Sequence, residues 1–303
     1  MGIFSKSIRI AKYVRNYADT VKRSPAYIRV YKNIANKLEQ FERESKQTLK
    51  NDNFGYKDFC AFIDFLNRQG LKQNTVRSLA DKLKFILSLM IRDMYKVNST
   101  AFQVRIKSEF VTSVYLSVDE VKQLYYYKHY DKAQRIVVDL FAVGCFTGMR
   151  YSDYSTLNSN NIQCGFIVKK TKKTGVVVKI PIHPIVREIL ERYDGFPKYK
   201  GSKQNFNKVL KTAVRRNGFN QEILCEFTQG GKIVRQVKRK YEMIASHTAR
   251  RSFATNAYLA GIPIARIMML TGHQSETSFF KYIKIQNTEN AEELAHHAFF
   301  AIA

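Results

Sequence analysis

Tryptophan is absent from this chain of 303 residues, and cysteine and proline are scarce at four and five. Cys60, Cys145, Cys164 and Cys225 have neither the paired spacing of a zinc site nor that of a disulfide framework. They read as ordinary thiols of a reducing compartment, which places the chain in the cytoplasm. No apolar run reaches the ~20 residues needed to cross a bilayer, and no signal peptide is visible, so a membrane is excluded as a partner. The opening "MGIFSK" fails as a lipidation signal, because its serine comes one place early and Lys6 follows. Carboxylates are also few, 25 against 51 lysines and arginines.

What the chain holds instead is positive charge. Residues 1–115 carry 22 basic and 10 acidic side chains and the remainder 29 and 15, leaving +12 and +14 of the total +26. Both halves are basic, as expected if each touches the same polyanion, and double-stranded DNA is the expected partner. The 21 phenylalanines and 18 tyrosines are ample for two cores.

The first third reads as helices. Ser24-Pro25 is a cap followed by proline in the first turn. Tyr27, Tyr31, Ile34, Leu38 and Phe41 form one stripe; Phe59, Phe62, Ile63 and Leu66 a second, closed by Gly70; Val76, Leu79, Leu83, Ile86, Leu87, Met90 and Met94 a third. Residues 97–115 lose this periodicity and read as a linker. "SVDE" at Ser117 is a capping box that opens a new helix. The expected organisation is therefore a helical domain over 1–112 and a second domain over 116–303. The second begins with a buried helix, "AQRIVVDLFAVGCF", that stops at Thr147-Gly148. A β-hairpin follows about Gly175, then a helix from Pro184 to about Tyr193 and a helix striped by Phe206, Val209, Leu210 and Val214. A second hairpin turns at Gly230-Gly231.

The chemistry concentrates in "SHTARRSFATNAYLAGIPIARIMMLTGHQSETSFFKYIK", residues 246–284. This stretch has three arginines close to two histidines and a tyrosine, a single carboxylate, Glu276, and no metal-ligand pattern. His247 and Arg250, three apart, share one helix face near its positive end, where an anion is favoured. His273 follows a glycine turn, and Tyr282 comes nine residues later. Upstream, "TGMRYSD" puts Arg150 at a helix-to-helix corner. Arginine suits a phosphate because its planar fork grips two oxygens at once.

With these residues in view, the chain resembles the tyrosine recombinases of the phage integrase family. "TGMRYSD" is similar to the family's first arginine box; "SHTARRSFAT", "LTGH" and "FFKYIK" are similar to its second, in family order. The arginine-rich run and the "FFKYIK" ending look most like integrases and invertases of Bacteroidetes and their mobile elements. The resemblance covers essentially the whole chain. It implies a two-domain, mainly α fold, with an all-α, SAM-like core-binding bundle and an α+β catalytic domain containing a small antiparallel sheet.

The resemblance also implies roles. Tyr282 is the nucleophile that leaves a 3′-phosphotyrosyl link, while Arg150 and Arg250 hold the non-bridging oxygens. His247 and His273 hydrogen-bond the phosphate, Asp153 orients the arginine and histidine, and a hairpin lysine is the general acid. "KKTGVVVKIP" points to Lys173, with Lys172, Lys170 and Lys169 as alternatives. No cofactor or metal is implied, since guanidinium groups stabilise phenolate and transition-state charge where other enzymes use Mg²⁺. The apolar-faced ending "NAEELAHHAFFAIA" implies docking onto a neighbouring subunit, giving a dimer to tetramer on DNA. Two other readings stand beside site-specific recombination: a type IB-like topoisomerase, and an idle DNA-binding protein of the same fold.

Overall fold

The computed structural model describes residues 7–280 with 282 and 283. The opening hexapeptide and the "NAEELAHHAFFAIA" ending lie outside the described residues, and with the latter the expected docking helix. The chain divides into two compact units. One is built from the chain up to Thr112 together with Leu224–Gln236; the other from Ser113–Ile223 together with the chain from Val237 on.

The first unit is a bundle of α1 (Ile10–Thr20), α2 (Pro25–Ser45), α3 (Tyr56–Arg68) and α4 (Gln73–Arg92). The Ser24 hydroxyl accepts from the Tyr27 backbone N–H and Pro25 fills the first turn, so α2 starts where its cap dictates. The three stripes close one core: Tyr31, Ile34, Leu38 and Phe41 meet Phe59, Phe62, Phe65 and Leu66 and the α4 residues from Val76 to Met90. Met94 does not belong to it. The helix stops at Arg92, Met94 takes a left-handed φ of 65°, and its side chain is 75% exposed. α1 adds Ile10, Val14 and Ala18 at four-residue intervals. The segment read as a linker is partly packed: Asn98 caps a 3₁₀ turn, Ser99–Gln103, that buries Ala101, and Val104 follows it into the same core. Leu224–Gln236 joins this unit through backbone bonds. Gly230 N–H donates to the Leu71 carbonyl (3.0 Å) and Thr228 N–H to the Glu109 carboxylate (2.8 Å), while the Lys72 ammonium lies 4.2 Å from the centre of the Phe227 ring.

The second unit is organised around α6. The capping box is present, with Ser117 and Glu120 exchanging bonds at the start of α5 (Val118–Tyr126). α6 (Lys132–Thr147) is buried on every side from Val137 to Cys145, as a helix apolar all round must be. At Gly144 a side chain would come within 2.7 Å of the Tyr154 ring and 2.9 Å of Ala249, so the glycine sets how closely neighbouring elements approach. A short α7 (Tyr151–Tyr154) leads into an antiparallel sheet, β1 (Ile162–Gln163), β2 (Phe166–Lys170) and β3 (Val177–Pro181), in register Ile167↔Ile180 and Lys170↔Val177. α8 (Pro184–Tyr193) and α9 (Lys203–Arg216) follow; β4 (Glu222–Gln229) and β5 (Lys232–Arg239), the hairpin that turns at Gly230-Gly231, lie mostly in the first unit. α10 (Lys240–Met243), α11 (Thr248–Leu259), α12 (Ile264–Thr271) and α13 (Glu276–Phe280) complete the described elements. α8, α9 and α11 all pack on α6. Beneath α8 lies a fully buried carboxylate, Asp139, whose oxygens accept from Arg135, from Arg192 (2.8 Å) and from the Tyr193 hydroxyl (2.9 Å). Among the described residues no helix is long and apolar enough to cross a membrane.

Candidate active site

α6 ends because Gly148 takes φ +66°, a left-handed cap that glycine adopts without strain. A side chain there would run into the Phe253 ring. The chain then turns, and Arg150 stands at the cap of α7 with Asp153 one turn on. Arg150 is half-buried, and its Nη1 is buried with no hydrogen-bond partner among the described residues. Asp153 is fully buried. Its Oδ1 accepts from the Lys172 backbone N–H (2.9 Å), and its Oδ2 has no partner among the described residues. The family role of orienting an arginine and a histidine therefore has no hydrogen bond behind it here; the bond that exists runs to the lysine turn.

Arg250 sits in the first turn of α11 and is 1% exposed. Among the described residues no carboxylate forms an ion pair with it, though the charge of Asp153 is felt. Its Nη1 donates to the carbonyls of Gly148 (2.9 Å) and Thr271 (2.6 Å), at the carboxyl ends of α6 and α12, where helix dipoles place partial negative charge. Burial, and then the like charge of Arg150, lower its pKa to about 10 against the opposing pull of Tyr282. It stays charged at neutral pH, and its Nε is buried with no partner among the described residues.

Its Nη2 meets His273 Nε2 at 2.8 Å. Arginine has no acceptor, so Nε2 accepts and the ring proton is on Nδ1. The Thr271 hydroxyl gives its own hydrogen to Ile267 (2.7 Å) and receives the Nδ1 proton at 2.8 Å. These contacts suit a neutral imidazole with its proton on Nδ1. Consistently, burial and then the charges of Arg250 and Arg150 drive its pKa down to about 3. His247 is lowered to about 4 by burial, then by Arg251, Arg250, Lys203 and Arg150. Both imidazoles are free of charge at pH 7.

Tyr282 closes the group. Its ring centre lies 4.8 Å from that of His273 and 5.2 Å from that of His247, with the Arg250 guanidinium carbon 5.3 Å away. Its backbone is held by the Phe279 carbonyl (2.7 Å) and the Thr255 hydroxyl (3.3 Å).

The structure thus brings Tyr282, His247, His273 and Arg250 together, with Arg150 near enough for its charge to be felt by three of them. Lys173 is exposed in the turn between β2 and β3, beside Lys172. Lys169 is engaged elsewhere, donating to the Thr156 carbonyl (3.2 Å). Sequence reasoning passed over Arg251, whose charge is the largest acting on His247; its place four residues after that histidine was the available signal. It also passed over Thr171 and Thr271, whose hydroxyls matter only through partners that the fold supplies. Among the described residues no group of three or more His, Cys, Asp or Glu side chains is placed to hold a metal ion.

Comparison with known proteins identifies the family. The phage integrase family model matches residues 114–289, and the phage integrase SAM-like domain matches residues 9–104. Tyrosine recombinase XerC of Staphylococcus carnosus (strain TM300) is 25% identical over 252 residues, covering 80% of this chain and 81% of that protein. Two solved structures share the fold. One is the Tn1549 transposon integrase (residues 82–397) in complex with circular intermediate DNA, with a TM-score of 0.67 and 14% identity, covering 95% of this chain and 99% of that one. The other is a lambda integrase (75–356) dimer bound to a COC′ core site, with a TM-score of 0.67 and 16% identity, covering 93% and 97%. With both domain models matching along the chain, this chain belongs to the phage integrase family.

Proposed function

We infer that the chain is a site-specific tyrosine recombinase that cuts and rejoins DNA strands through Tyr282. Family membership favours this over a topoisomerase or an idle DNA-binding protein. The observation that carries the residue assignment is the packing of one phenol against two neutral imidazoles and a buried guanidinium whose Nε, like Arg150 Nη1, has no partner among the described residues. Buried donors without partners are costly, and a phosphate has the oxygens to satisfy them.

In the proposed step the Tyr282 oxygen attacks the scissile phosphorus and its proton passes to His247. Arg150 and Arg250 hold the non-bridging oxygens, with His273 beside them. The bond from phosphorus to the 5′-oxygen breaks, and Lys173 gives that oxygen its proton. The 3′-phosphotyrosyl link keeps the phosphodiester's energy, so a second 5′-hydroxyl reseals the strand without ATP or metal.

The finer readings rest on the sequence. The "FFKYIK" ending supports a place among integrases and invertases of Bacteroidetes mobile elements. The apolar ending supports a dimer to tetramer assembled on DNA through a neighbour's tail. Membership of a family that acts on DNA supports a cytoplasmic enzyme. The central test is Tyr282→Phe on a nicked suicide substrate: DNA binding is expected to persist and the denaturant-stable protein–DNA adduct to vanish. A surviving adduct would remove Tyr282 from the role.

A further inference from the structure

The turn that carries Lys173 is tied from within. Thr171 is 4% exposed at the end of β2. Its N–H and its hydroxyl both donate to the Val176 carbonyl, at 2.9 and 3.0 Å, and its own carbonyl accepts from Gly175 N–H at 2.9 Å. A hydroxyl has one hydrogen, and that of Thr171 is used on Val176. The 2.8 Å contact between the Thr171 and Thr174 hydroxyls therefore has Thr174 as the donor. On the other side, Lys172 N–H is held by the fully buried Asp153. Both neighbours of Lys173 are pinned, while its own side chain is exposed. The Thr171 and Thr174 side chains also face the backbone just before His273: a Cβ at Gly272 would lie 3.9 Å from Thr171 Cγ2 and 3.9 Å from Thr174 Oγ1. The turn is thereby tied to Arg150's corner through Asp153 and lies close to Gly272, the residue before His273.

We propose that Thr171 is a positioning residue for the general acid, its buried hydroxyl holding the Lys173 turn where the ammonium reaches the leaving 5′-oxygen. This rests on the assignment of Lys173 above. A lysine on a loose turn still binds phosphate, but it protonates poorly, because proton transfer depends on hydrogen-bond reach. The effect of losing the hydroxyl is therefore confined to the leaving group.

The test measures single-turnover cleavage of two suicide substrates that differ only at the scissile bond, an ordinary phosphodiester and a 5′-bridging phosphorothiolate. In the second the phosphorus–sulfur bond breaks and the thiolate leaves without a proton. Thr171→Val keeps the shape and removes the hydroxyl. It is expected to slow cleavage of the phosphodiester about tenfold or more and to be largely rescued by sulfur, with DNA affinity unchanged. Thr171→Ser is expected to cleave both substrates at the parent rate. Thr174→Val, at a half-buried site, repeats the measurement should Thr171→Val fold poorly. Equal loss on both substrates, or no loss on either, overturns the inference. Lys173→Ala is run alongside. If sulfur rescues it but not Thr171→Val, Lys173 stands and the positioning role falls. If sulfur fails to rescue Lys173→Ala, the assignment falls and the inference with it.

Discussion

Two buried clusters of charge in the second unit differ in one respect. Around Asp139 the carboxylate has no exposed surface, and both its oxygens are taken up by Arg135, Arg192 and the Tyr193 hydroxyl, with only Arg135 Nε left without a partner among the described residues. Around Arg250 the charges are mostly of one sign, the strongest hydrogen bonds go to backbone carbonyls, and four buried polar atoms (Arg150 Nη1, Asp153 Oδ2, Ser246 Oγ and Arg250 Nε) have no partner among the described residues. A buried charge whose bonds are complete belongs to the architecture. A buried positive cluster with donors to spare is set up for an anion that arrives later. The balance of charge and the number of buried atoms left without partners separate the two clusters.

That contrast breaks or sharpens at four points. The largest effect is expected at Arg150→Ala, which should lower the single-turnover cleavage rate by about 10³-fold or more, the scale for removing a charged donor aimed at a transition-state phosphate. The melting temperature should move little, since the group's Nη1 has no partner to lose. A large stability loss with little rate loss would place Arg150 in the same class as Asp139. Asp139→Asn should do the reverse. It should destabilise by about 3 kcal/mol, because it leaves buried cations uncompensated, while the folded enzyme cleaves within about twofold of the parent rate; chemical denaturation and single-turnover kinetics decide.

The third point is pH. His247 and His273 are lowered to about 4 and about 3 in the free protein. An unfolded histidine takes its proton near 6.5. The folded state therefore binds fewer protons between about 6.5 and 4, and stability falls as pH falls through that window. A bound phosphate raises both values, so DNA binding takes up protons, and affinity rises as pH drops from 7 toward 5. Titration calorimetry at pH 5.5 in buffers of different ionisation heat should detect that uptake. Identical heats in all buffers would mean that no histidine faces the phosphate. The smallest expected effect is none: chelation by EDTA should leave the cleavage rate unchanged, because guanidinium groups hold the charge. Loss in EDTA with recovery in Mg²⁺ would overturn the arginine mechanism.

Much of this was legible because local physics wrote it. Proline and serine at the start of α2, the capping box at Ser117 and glycines at the hairpin turns act within a few residues, and the apolar stripes needed only helix periodicity. Other features depend on residues far apart in the chain. Leu224–Gln236 sits with the first unit because Gly230 reaches Leu71 and Thr228 reaches Glu109; neither pairing leaves a trace in its own neighbourhood. α1 is short, and its small Ala18 weakens the stripe. Met94 continues the α4 period in sequence but lies past the helix end, and a period does not announce its last turn. In the site, the spacing of His247 and Arg250 was readable. That Arg250 is answered by carbonyls, and that Asp153 holds the Lys172 N–H, was not, because backbone partners have no identity in a sequence.

The carbonyls that Arg250 holds lie 102 residues before it and 21 after it, and the phenol it faces comes later still. During synthesis the first unit's helices and all of α6 emerge before any of these groups can meet. A chain halted at Leu259 has Arg150 and Arg250 but neither His273 nor Tyr282. On the proposed assignment of Tyr282, such an unfinished chain could hold DNA by its charge but would lack the nucleophile. With Tyr282 as the proposed nucleophile, strand breakage would wait for the last part of the chain to fold.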